Sequence, residues 1–153
     1  MHLVLPTTAE YALRAMACIA GRSDEWVRAK DLVEATHVPA AYLSKVLRRL
    51  VEGGLLTSMK GHHGGFRLAR PASTIRFVDV LDAVDEEIGS TRCAFGFTHC
   101  SGRDPCPLHP MFEQLNQQVR AWAETATLAE VDAQVYLLAP PTRAVVPPRV
   151  RAR

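Results

Sequence analysis

A mainly α-helical fold carrying one short β-hairpin is what the sequence predicts, and three observations predict it. Apolar residues recur at helical spacing in most segments between Ala9 and Ala126. Only "LLTSMKGHHGGFRLARP" reads as strand, glycine-rich tip and strand. And "HVP" breaks two helical patterns apart after a very short gap, which leaves the two helices joined by a tight turn.

The elements follow in order. Thr7 precedes Glu10 by three, the pattern of a capping box, and predicts a first helix running to about Gly21. Ala9, Ala12, Leu13, Met16, Ile19 and Ala20 form its core face, and Cys18 reads as a small buried hydrophobe. A short helix over about 29–36 turns Leu32 and Val33 inward. Pro39 suits the first turn of the next helix, which carries Leu43, Val46, Leu47 and Leu50 on one face and ends at Gly53 and Gly54. Strands at 55–59 and 66–70 pair around "KGHHGG". After Pro71 a helix spans about 75–87, with Phe77, Val80, Leu81 and Val84 as its inner stripe. A long helix starts near Pro110 and runs to about Ala126. Its apolar positions Phe112, Leu115, Val119, Trp122 and Ala126 make a narrow seam of the kind that pairs with a twin. Thr127 and Glu130 form a second capping box, opening a short helix "LAEVDAQ". From Ala139 the chain carries four prolines, four arginines and no acid, and reads as a disordered basic tail.

With 153 residues, 48% of them hydrophobic, the chain is long enough for one globular domain with an arm. No apolar run approaches the roughly 18 residues of a membrane span, and the N-terminus lacks the features of a signal peptide. A cytoplasmic location is the expectation, and there clustered cysteines are better read as metal ligands or redox sensors than as disulfides. Net charge is only +2, but its distribution is uneven. Between Arg28 and Arg70 eight bases face three acids, whereas 77–88 holds five acids and no base. A helix-turn-helix with bases on its second helix, followed by a glycine-tipped wing, points to a polyanion as partner. Tyr42, Ser44, Lys45, Arg48 and Arg49 are the exposed candidates on the helix. Lys60, His62, His63 and Arg67 are the candidates on the wing.

"CAFGFTHCSGRDPCPLH" gathers three of four cysteines into one loop, spaced C-x6-C-x5-C, with His109 following after two intervening residues. Compact zinc sites favour C-x2-C pairs. These longer gaps suit an object larger than one ion, such as an inorganic cluster. Arg92 and Arg103 would offset thiolate charge. A zinc- or thiol-based regulator without a cluster is the alternative. A redox enzyme is disfavoured, because there is no C-x-x-C pair and no nucleotide-binding loop.

The succession "TTAEYALRAM", "VPAAYLSKVLRRLVEGGLL", "KGHHGGFRLARP" and the three-cysteine loop resembles the IscR and NsrR family of winged-helix transcription regulators over about 1–133. The resemblance implies a dimeric, non-enzymatic DNA-binding regulator, a repressor, on a roughly palindromic double-stranded operator. It implies an iron–sulfur cluster on Cys93, Cys100 and Cys106 that senses nitric oxide, redox state or iron–sulfur status. It implies a fourth ligand at Glu10 of the partner subunit with a 4Fe-4S cluster, or at His109 with a 2Fe-2S cluster. The first gap, one residue longer than in several relatives, and the paired histidines of the wing depart from the family pattern. The division expected is a winged helix-turn-helix DNA-binding domain at 1–72, a linking helix and cluster loop at 73–109, a dimerisation helix with a short helix packing back at 110–138, and the tail at 139–153.

Overall fold

The computed structural model describes residues 5–22, 25–85 and 107–131. The first helix, α1, is Thr7–Ala20, and it is the axle of the fold. Its alanines at 9, 12 and 15 are fully buried and let neighbouring helices approach closely, while Met16 and Ile19 fill the space between them. The Thr7–Glu10 capping box does not form. Pro6 occupies the cap position in extended conformation and its carbonyl accepts the Glu10 N–H at 3.0 Å, so Thr7 already lies inside the first turn. Cys18 is fully buried, and burial pushes its thiol above the usual range, which suits packing and not ligation.

Helices α2 (Ala29–Thr36) and α3 (Ala40–Glu52) make the helix-turn-helix. Between them His37 takes a left-handed conformation at φ 55°, and Val38 is buried under the turn. Pro39 sits at the cap, one place before the first turn predicted for it. Leu43, Val46, Leu47 and Leu50 are all buried, as their spacing predicts.

Strands β1 (Leu56–Met59) and β2 (Gly65–Leu68) form the antiparallel wing, with Leu56 opposite Leu68 and Met59 opposite Gly65. The second strand thus ends two residues earlier than predicted. Val27, just before α2, exchanges both backbone hydrogen bonds with Phe66 at 3.0 and 2.8 Å and fastens the wing to the helix-turn-helix. Gly64 is required by the hairpin itself: a Cβ there would lie 2.0 Å from the Met59 carbonyl oxygen.

The helix predicted over 75–87 is shorter. A single turn at Ala72–Thr74 precedes α4, Phe77–Ala83. Ile75 is extended and buried because its carbonyl accepts the Leu128 N–H at 2.8 Å. At the other end Asp85 turns left-handed at φ 56°. Asp79 caps the start of α4 by accepting the Arg76 N–H at 3.0 Å, and Arg70 and Arg76 both reach its carboxylate. Burial alone would raise that carboxyl, but the Arg76 hydrogen bonds and the two guanidinium charges outweigh it and hold it below the usual carboxylate range. One of the five acids in the acidic block is therefore neutralised locally.

The last α-helix among the described residues, α5, is His109–Thr125, with Pro110 in its first turn. The Thr127–Glu130 capping box forms, but it opens only one tight turn, Leu128–Glu130, and Val131 is extended. This return places Leu128 in the core, its N–H on the Ile75 carbonyl. The basic tail and the rest of the predicted short helix lie outside the described residues.

Candidate nucleic-acid interface

The outer face of α3 and the inner face of the wing enclose an open groove. Ser44, Arg48, Glu52, Met59, Lys60 and Phe66 are among its walls. The groove exists because α3 buries only one stripe, so Tyr42, Ser44, Lys45, Arg48 and Arg49 remain on its exposed side. Ser44 donates to the Ala40 carbonyl at 2.9 Å, and its hydroxyl oxygen stays available to accept. Tyr42 stands edge-on to Tyr11 of α1 with ring centroids 6.3 Å apart, which fixes the phenol near the start of α3.

The two adjacent arginines part company. Arg48 is 79% exposed and, among the described residues, bonds within its own helix, to Glu52 at 2.8 Å. Arg49 leaves α3 and donates to the Val84 carbonyl at 2.6 Å, beyond the end of α4. It is therefore tied to the end of α4 although its side chain is still 45% exposed, whereas the sequence ranks it beside Arg48.

On the wing, Lys60, His62, His63 and Arg67 are exposed. The two imidazoles lie tilted against each other, 5.3 Å apart, at the tip. The Arg67 guanidinium rests over the Trp26 ring at 4.7 Å. Sequence reasoning missed Trp26. Its signal, an apolar pair "WV" next to Arg28, is too short for any periodicity.

The cysteines Cys93, Cys100 and Cys106 lie outside the described residues. Among the described residues no group of three or more His, Cys, Asp and Glu is placed to hold a metal. The two residues considered for the fourth ligand are described. Glu10 is on α1, its carboxylate against Arg14, with a third of the side chain exposed. His109 opens α5, with Nε2 3.7 Å from Glu113 and again a third exposed. Among the described residues no helix is long and apolar enough to cross a membrane.

A helix-turn-helix with a tethered wing, and bases around the groove between them, defines a winged-helix DNA-binding protein. A family model described as Rrf2, an iron-dependent transcriptional regulator, matches residues 5–134, and the chain belongs to that family. It is 34% identical over 128 residues to the HTH-type transcriptional regulator IscR of Serratia proteamaculans, covering 83% of this chain and 77% of that one. The IscR of Klebsiella pneumoniae is 33% identical over the same length. In fold the chain is similar to CymR, the global cysteine regulator of B. subtilis, with TM-score 0.67 at 17% identity, covering 82% and 93% of the two chains. It is also similar to T. potens IscR, with TM-score 0.65 at 22% identity, covering 89% and 92%. The protein is a transcription regulator and not an enzyme.

Proposed function

We propose that the chain is a homodimeric repressor that reads a roughly palindromic operator and whose affinity for it is set by an iron–sulfur cluster. The observation that carries this reading is the groove between α3 and the wing, with Ser44, Arg48 and Lys60 on its walls. Residues of the first turns of α3, Tyr42, Ser44 and Lys45, approach base edges in the major groove. Arg48 and the wing residues Lys60, His62, His63 and Arg67 meet the phosphate backbone or the minor groove. A second copy of the chain joins along α5 and supplies the second half-site reader, and the location is cytoplasmic.

Three thiolates with one carboxylate or imidazole are a donor set suited to an iron–sulfur cluster. Cys93, Cys100 and Cys106 would hold it with Glu10 of a second copy for a 4Fe-4S cluster. His109 is the alternative for a 2Fe-2S cluster. The accessibility of both side chains supports either choice. With Glu10 of a second copy as fourth ligand, such a cluster would supply a bond between subunits that nitric oxide, oxidation or iron shortage would break. Arg14 beside Glu10 offsets charge at that point.

The test is direct. Anaerobically purified protein is expected to be coloured and to contain iron and acid-labile sulfide. Zinc in colourless protein would favour a zinc-based regulator instead. Arg48→Ala should weaken operator binding and reduce the log–log salt slope by about one. Binding that ignores this change would take Arg48 out of the interface.

A further inference from the structure

We propose that Arg49 is not a DNA contact but the positioning residue that ties the recognition helix α3 to the entrance of the cysteine-bearing segment. The proposal rests on the cluster-switching reading above and specifies how that switch reaches the reader. Arg49 projects from the third turn of α3 and donates to the Val84 carbonyl at 2.6 Å, with Asp85 Oδ2 3.9 Å from its other nitrogen. Val84 is fully buried, so the strut has a fixed seat. Its carbonyl lies just past α4, where the helix offers no partner of its own. Asp85 is left-handed and lies beyond the end of α4, and Cys93 follows eight residues later in the sequence.

A second contact runs beside the first. Gly53, at the end of α3, packs so tightly on α4 that a Cβ there would lie 2.8 Å from the Ala83 Cβ. The ends of α3 and α4 are thus pinned twice, once by a hydrogen bond and once by close packing. A displacement of the chain at Asp85 is passed to α3 through these two points. Arg48, one residue away, bonds to Glu52 within α3 and has no such link among the described residues.

The experiment compares operator affinity of the full-length protein before and after chelator removal of its iron, for wild type, Arg49→Ala and Gly53→Ala. Iron, sulfide and thermal melting are measured on each sample. Arg49→Ala should move the ratio of the two affinities at least about fivefold towards one, with iron and sulfide per chain and the salt slope unchanged. Gly53→Ala should do the same although it removes no charge, so it carries the test alone if Arg49→Ala does not fold. An unchanged ratio in a folded variant overturns the link. A parallel loss in both forms with a slope lower by about one makes Arg49 a phosphate contact and overturns it as well. A wild type whose two forms bind alike overturns the switching reading itself, a result visible before any variant is made.

Discussion

Helices α3 and α5 are both amphipathic, with 13 and 17 residues, and within one chain they meet opposite fates. The apolar stripe of α3 is wholly consumed: Leu43, Val46, Leu47 and Leu50 all sit in the core against α1 and α2. In α5 only Ala123 is buried. Phe112, Leu115 and Val119 are half-covered, Trp122 is 48% exposed and Met111 64%. Trp122 meets Phe77 edge to face with ring centroids 4.8 Å apart, which docks the C-terminal part of α5 onto α4. The polar face of α3 suits the proposed reader; the uncovered apolar face of α5 suits the proposed contact with a second subunit. A single copy satisfies the first helix and leaves the second incomplete.

The largest effect is therefore expected on α5. Leu115→Arg combined with Val119→Arg should convert a dimer into monomers in sedimentation experiments. Operator affinity should fall at least about a hundredfold, because each monomer then grips one half-site. Far-UV circular dichroism on the same samples checks that the helices of the N-terminal unit are retained, since Val119 packs against the core. A dimer that survives both arginines would break the contrast between the two helices.

The contrast also explains what the sequence discloses. α2 ends where predicted, because the signals are local: His37 and Pro39 interrupt the pattern, and Gly53 and Gly54 stop the next helix. The seam of α5 is legible for the same reason, since the periodicity survives whether or not a partner covers it. The length of α4 is not legible. Ile75 is drawn into extended backbone by Leu128, fifty-odd residues away, and Asp85 turns at the point where Arg49 reaches across. The predicted Thr7–Glu10 cap fails because Pro6 takes the position, while the identical spacing at Thr127–Glu130 succeeds. At the candidate interface, Lys60, His62, His63 and Arg67 are exposed as a wing requires. The adjacent Arg48 and Arg49 are indistinguishable by sequence, and only the end of α4 separates them.

An intermediate effect is expected where the two regions join. Thr127 bridges to Arg76, and its backbone N–H and hydroxyl both bond Glu130, at 3.1 and 3.0 Å. This turn carries Leu128 into the core and holds the exit of α5 against the start of α4. Thr127→Ala removes the hydroxyl from the cap and should cost about 1 kcal/mol in urea unfolding. Thr127→Ser, which keeps the hydroxyl, should recover most of it. A loss in both variants alike would assign the effect to the threonine methyl and not to the cap.

The smallest effect on stability tests the reader alone. Arg48 and Glu52 form an ion pair on the surface of α3, with side chains 79% and 58% exposed. Water screens such a pair, so its loss should leave the unfolding midpoint unchanged. Its effect on DNA binding has the opposite character. Glu52 lines the same groove as Arg48, and in the proposed complex it would compete with phosphate for the guanidinium and place a negative charge beside the duplex. Glu52→Gln should therefore tighten operator binding by about threefold at low salt, with the gain fading as salt rises. Because the change sits on α3 and not on the seam, sedimentation should still report the wild-type assembly. Tighter binding with unaltered stability and mass would separate the reading face from the joining face. Weaker binding would mean that Glu52 holds Arg48 in its working orientation, and that the pair contributes to recognition as a unit.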